Sequence, residues 1–141
     1  MEVLFTSDLH LGHENIIASC GRNAGNCGRD FSSVEEMNAF LIDKWNQKVR
    51  PDDEVYILGD LSYRSGVSVK TYLRQMRGRK HLIVGNHDFK WMKNVPDLDA
   101  YFETVSNLEI IKLDGKLLTL CHYPLLEWNG SGRAKCQETS I

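Results

Sequence analysis

No stretch of this 141-residue chain approaches the roughly 20 consecutive apolar residues that a membrane span needs. The opening Met1-Glu2-Val3-Leu4-Phe5 lacks the basic head and apolar stretch of a secretory leader, so a cytoplasmic address is expected. An excess of basic charge is missing too. The formal net charge is −2, which removes any global field for gripping nucleic acid, and the local cluster Arg74, Arg77, Arg79 and Lys80 reads as a solvated helix end. Neither nucleic acid nor a membrane is an expected partner. The four cysteines, Cys20, Cys27, Cys121 and Cys136, match neither a zinc ribbon nor CxxC redox spacing and are expected to be free thiols. Cys121 sits in an apolar run and reads as a small buried hydrophobe. Internal repeats and low-complexity tracts are absent.

What is present is the composition of an ordinary folded domain, 42% hydrophobic and 26% charged, with 11 glycines and 3 prolines. A chain of this length buries about 65–70% of its extended surface on folding, enough for one self-sufficient core.

Val3-Leu4-Phe5-Thr6 is a short β-prone run that stops at Ser7-Asp8, as a buried strand does on reaching a loop. Cys20 to Asp30, rich in Gly, Asn and Arg, predicts a long surface loop. Ser33 opens a capping box with Glu36, and Val34, Met37, Leu41 and Trp45 mark one helical face before Pro51 forbids continuation. Glu54 to Leu58 is a second strand ending in Gly59-Asp60. Val69, Tyr72, Leu73 and Met76 space as a helix ended by Gly78, and His81 to Val84 is a third strand ending in Gly85-Asn86. A helix follows from Phe89, with Asp88 as its N-cap. Leu108 to Leu113 and Lys116 to Leu120 flank the hairpin signal Asp114-Gly115, and the second arm delivers His122. Alternating strands and helices predict an α/β fold with a largely parallel sheet and its ligand site beyond the carboxyl ends of the strands.

Those ends carry Asp8 and His10, then Asp60, then Asn86 and His87, then His122. In an extended Asp-x-His step both side chains point to the same side, so that two donors can hold one metal. A lone DxH is weak, but a strand ending in Gly or Ser followed by a ligand-type residue recurs at Ser7-Asp8, Gly59-Asp60 and Gly85-Asn86. The set Asp8-Leu9-His10, Gly59-Asp60, Gly85-Asn86-His87-Asp88 and His122 resembles, in order and nearly throughout the chain to Trp128, the signature of the calcineurin-like metallophosphoesterases.

That resemblance implies an αββα sandwich and a divalent-metal-dependent phosphoester hydrolase. It implies that Asp8 and His10 bind a first metal, Asp60 bridges, and Asn86 with His122 binds the second. The two divalent ions would be Mn²⁺, Fe or Zn²⁺, between which the mixed donors do not choose. It further implies a bridging hydroxide that attacks phosphorus, with His87 stabilising the developing charge or protonating the leaving oxygen. His13 is read either as a contact to substrate phosphate or as a solvent-facing loop histidine, and His81 as structural.

Two departures qualify the match. Tyr63 stands where protein phosphatases of the family carry a second aspartate, which favours a small phosphodiester or nucleotide-type substrate over a phosphoprotein. No histidine follows His122, so the family's distal GHxH has no counterpart. The expectation is a C-terminally truncated domain over 1–130 with an irregular or disordered tail over 131–141. An opened sheet edge predicts self-association. The alternative to a working phosphodiesterase is a non-catalytic metal- or phosphate-binding remnant.

Overall fold

The computed structural model describes residues 1–17 and 28–130. Cys20, Cys27, Cys136, most of the Cys20 to Asp30 loop and the 131–141 tail lie outside the described residues.

Strands β1 (Val3–Thr6), β2 (Glu54–Leu58), β3 (Arg79–Ile83) and β4 (Thr104–Ser106) form one parallel sheet in that order. Helices α1 (Val34–Lys48), α2 (Val69–Leu73) and α3 (Asp88–Met92) lie in the connections. Because every step moves one strand in the same direction, uniformly right-handed crossovers put all of these helices on one face. Side-chain alternation confirms it. Val55, Ile57 and Leu82 share a core with Trp45 of α1, Val69, Tyr72 and Leu73 of α2, and Trp91 of α3. Tyr56, Leu58 and Ile83 point the other way and meet Ile111, Leu118 and Leu120.

These last residues belong to an antiparallel hairpin, β5 (Leu108–Leu113) and β6 (Lys116–Cys121), turning at Asp114 and Gly115 with φ of 50° and 76°. Two positive φ angles are what a two-residue turn needs to match the strand twist. The order is therefore helices, parallel sheet, hairpin. The outward hairpin face carries Leu108, Ile110 and Leu117, each nearly half exposed. That is the face an outer helical layer of an αββα sandwich would cover, and no such layer occurs among the described residues. No helix among them is long and apolar enough to cross a membrane.

Helix α1 begins as its sequence predicts, with Ser33 Oγ accepting the Glu36 N–H at 3.1 Å. The reciprocal half of the capping box is displaced by one residue, since Glu36 accepts from the backbone and hydroxyl of Ser32 rather than from Ser33. Helix α2 is shorter than its apolar spacing predicts. Gln75 and Met76 donate to carbonyls only three residues back, and Lys80 Nζ donates to Met76 O at 2.7 Å and to Gly78 O at 3.1 Å. The chain thus tightens and its last carbonyls are served by an ammonium instead of another helical turn. Strand β4 has no apolar periodicity and is held mainly by pairing with β3.

On the hairpin face, Phe5, Tyr56 and His81 stack across neighbouring strands, with ring centroids 5.6 and 4.3 Å apart. His81 bonds Thr104 Oγ1 at 2.8 Å and Glu54 Oε1 at 3.2 Å, a structural ladder within the sheet.

Before β2, Asp53 accepts the Glu2 N–H at 2.7 Å and the Arg50 N–H at 2.8 Å, joining the starts of β1 and β2. These donors hold its carboxyl below the usual Asp range. A carboxyl depressed in the folded state stabilises it above the unfolded-chain pKa, and that contribution is lost as pH falls through the folded-state value. Asp53→Asn should therefore be less stable than the parent at neutral pH and show a shallower loss of stability on acidification, measured by urea unfolding between pH 7 and 2.5.

Candidate functional site

All the parallel strands end at one rim, and the backbone ladder runs past the strands there. Asp8 N–H donates to Gly59 O at 3.0 Å, His10 N–H to Asp60 O at 3.0 Å, and Leu11 N–H to Leu61 O at 2.9 Å. Within this ladder Asp8, His10 and Asp60 have φ of 55°, 51° and 54°. The extended Asp-x-His geometry expected from the sequence is thus corrected. Left-handed kinks, not strand alternation, turn Asp8 and His10 inward. Such a conformation costs about 1–3 kcal/mol per non-glycine residue and persists only where the surroundings impose it.

One restraint is Arg29, whose guanidinium donates to Asp8 O and Leu9 O, both at 2.6 Å. Another is Asp88. It is not the N-cap its position predicts but the first residue of α3, completely buried, with His87 at the cap position. Its Oδ2 accepts the Asp60 N–H at 2.7 Å and the Gly85 N–H at 2.8 Å; its Oδ1 accepts the Leu61 N–H at 2.9 Å and Trp91 Nε1–H at 2.8 Å. A carboxylate with this many donors is fully satisfied without water, and it locks the loops after β2 and β3 to each other.

The glycines permit that approach. A Cβ on Gly85 would lie 2.4 Å from Asp60 Oδ1, and one on Gly59, at φ 89°, would lie 2.3 Å from His122 Nδ1. Neither can be accommodated without moving a site residue.

Asp8, His10, Asp60, Asn86 and His122 consequently converge. Ligand atoms of Asp8, His10 and Asp60 all lie within 4.8 Å of one another. His10 Nε2 is 3.6 Å from Asp8 Oδ1 and 3.6 Å from Asp60 Oδ2. On the other side His122 Nε2 is 3.5 Å from the same Asp60 Oδ2 and 3.0 Å from Asn86 Oδ1. His122 Nδ1–H donates to Leu58 O at 2.8 Å, which turns Nε2 toward those two oxygens. Burial, opposed by Asp60, lowers the His10 pKa. Carboxylate and amide oxygens converging with imidazole nitrogens, one ring oriented by a backbone carbonyl, are the donor chemistry of a divalent cation site.

Around this cluster stand His13, Tyr63 and His87. His13 is stacked on His10 with centroids 5.2 Å apart and Nδ1 atoms 3.1 Å apart, and burial lowers its pKa. Tyr63 lies edge-on to His13 at 4.9 Å and 4.0 Å from His87. His87 has its backbone N–H on Asp60 Oδ1 at 3.0 Å and its ring 5.8 Å from His10. Every sequence-predicted site residue is therefore in this one cluster. Nothing local in the sequence marks the roles of Asp88 and Arg29, whose bonds reach 28 and 21 residues along the chain, and Tyr63 stands out there only as a departure from a family pattern.

Replacing Asp88 by Asn should test the clasp. An amide presents NH₂ where two backbone N–H groups need an acceptor, and each donor left unsatisfied costs about 1–3 kcal/mol. Chemical unfolding should show a loss of that order with the fold retained; an unchanged midpoint would refute the clasp.

A family model described as calcineurin-like phosphoesterase matches residues 1–137. The chain is 42% identical over 89 residues to the uncharacterized protein MJ1445 of Methanocaldococcus jannaschii, covering 62% of this chain and 47% of that one. It is 32% identical over 137 residues to the gene 66 protein of Mycobacterium phage D29, covering 86% and 63%. The gene 66 protein of Mycobacterium phage L5 is 40% identical over 87 residues, covering 60% and 38%. Among solved structures, the protein of unknown function AQ665 from Aquifex aeolicus superposes with a TM-score of 0.66 at 31% identity, covering 88% of this chain and 62% of that one. The chain thus spans less than two thirds of the length of each of these relatives. With the DxH, GD, GNHD and histidine positions gathered at one rim of an α/β fold, and the family match running along nearly the whole chain, this protein belongs to the calcineurin-like phosphoesterases.

Proposed function

We propose that the chain is a divalent-metal-dependent phosphodiesterase acting on a small or nucleotide-type substrate. The observation that carries this reading is Asp60 Oδ2, placed 3.6 Å from the imidazole nitrogen of His10 and 3.5 Å from that of His122. With two divalent ions bound, Asp60 would be the residue common to both. In this reading Asp8, His10 and Asp60 hold one ion and Asp60, Asn86 and His122 the other. When bound, such ions supply Lewis-acid charge at the phosphoryl oxygens and lower the pKa of water.

The protein's own contribution is positional. Asp88 and Arg29 fix the backbone from which Asp60 and Asp8 project, so the donors need no rearrangement during the reaction. His87 is half-buried, is tethered through its backbone to Asp60 and has its ring packed on Tyr63. It faces the space in which substrate would sit and gives a proton to the leaving oxygen or stabilises its charge. His13 contacts substrate phosphate. Tyr63, an aromatic wall where protein phosphatases of the family carry an acid, offers an uncharged surface to the second ester substituent and favours diesters.

The test is metal content together with Mn²⁺-dependent hydrolysis of bis(p-nitrophenyl) phosphate by the parent, Asp60→Asn and His87→Asn. Asp60→Asn should lose both metal and turnover. His87→Asn should keep its metal and lose up to about 10²–10⁴-fold in kcat on a diester with an alkoxide leaving group, and less on the nitrophenyl ester, whose leaving group needs little protonation. Hydrolysis by Asp60→Asn at the parental rate would sink the proposal, and metal binding without turnover in the parent would identify a metal-binding remnant.

A further inference from the structure

Beside Tyr63, between the segment after β2 and helix α3, lies a groove of about 220 Å³ that the reading above leaves unused. Val69, Trp91 and Val95 form its apolar floor, and Arg64, Lys90 and Asn94 stand at its rim. That volume is below the roughly 300–1,000 Å³ of a pocket enclosing a whole drug-sized ligand, so it suits one substituent of a larger molecule.

The rim has the wrong charge for an idle surface. Arg64 Cζ is 5.1 Å and Lys90 Nζ 5.3 Å from the centroid of the Tyr63 ring, so two cations are gathered at a single aromatic side chain. Among the described residues neither makes an ion pair, whereas nearby Lys70 binds Asp97 at 2.7 Å. With no carboxylate among the described residues paired to either, both cations are free to take an anion that reaches the rim. Arg64 is also held at φ 49°, a region long side chains rarely occupy. The same Tyr63 ring lies 4.0 Å from His87, which places the two cations one ring away from the site of hydrolysis.

We propose that this groove is a subsite for a second anionic group of the substrate. Arg64 and Lys90 receive a further phosphate, and the group joining it to the scissile phosphate lies along Tyr63. The preferred substrate class is then a nucleotide-type diester bearing at least one additional phosphate. This deepens the phosphodiesterase reading and rests on it for the position of the scissile group.

Equilibrium binding tests the subsite independently of turnover. Thymidine 5′-monophosphate and thymidine 3′,5′-bisphosphate would be titrated calorimetrically into the full chain with Mn²⁺ and again with chelator. At low salt the bisphosphate should bind the Mn²⁺-supplied chain roughly tenfold more tightly, as two charge-assisted contacts allow, and the advantage should shrink as salt is raised. In the double variant Arg64→Asn with Lys90→Gln the advantage should fall to about twofold or less. Asn tolerates the left-handed backbone at 64, and both side chains are exposed, so the fold is kept. The charge-preserving pair Arg64→Lys with Lys90→Arg should retain the preference. Equal affinity for the two nucleotides, no binding of either, or an advantage that survives neutralisation would overturn the subsite. A chain that binds the bisphosphate preferentially but hydrolyses nothing would uphold it while striking down the hydrolytic reading.

Discussion

The buried carboxylate of Asp88 is the interaction on which the site depends. It is a charge withdrawn entirely from water, which would be intolerable unpaired, and its partners are three backbone N–H groups and one indole rather than a cation. Those backbone donors come from both sides of the gap between the ends of β2 and β3. Satisfying Asp88 and fixing the distance between the Asp60 and Asn86 loops are therefore the same event. The closeness it enforces explains the glycine at 85, because any side chain there would occupy the space of the Asp60 carboxylate.

The left-handed residues extend the same logic. Asp8, His10 and Asp60 each sit in a backbone region that L-residues avoid, and each is tied to its neighbour by the ladder that continues beyond β1 and β2. The core beneath, packed by Leu11, Ile57, Leu61 and Leu82 at zero exposure, supplies the rigidity that holds such strain. What results is a set of donors already aimed before any ligand arrives.

Much of this was legible from local pattern. The three strand ends, the Ser33 cap of α1, the Asp114-Gly115 turn and the emergence of His122 from the second hairpin arm each follow from contiguous residues with strong turn or periodicity chemistry. The misses share a physical cause. Strand β4 is three residues long and defined by its pairing, the clasp of Asp88 reaches back 27 and 28 residues to Leu61 and Asp60, and Arg29 reaches 20 and 21 residues back. Asp88 read locally as an N-cap because Asp before an apolar run usually is one; only tertiary contact shows the side chain turned inward. The left-handed turns at Asp8 and His10 leave no compositional trace, since neither residue is glycine.

Across the layers the hairpin meets the parallel sheet through its side chains: a small apolar cluster, Glu109 accepting from Thr104 and Ser106 of β4 and, at the end opposite the turn, the hydrogen bond from His122 to Leu58 O. His122 fits there because Gly59 has no side chain. A cation shared by Asp60 and His122 would then act as a rivet between layers, and its binding energy would appear as resistance of the hairpin to peeling away, by about 2.7 kcal/mol at a hundredfold excess over its dissociation constant. In such a molecule the occupancy of the site and the durability of the second layer are one thermodynamic quantity.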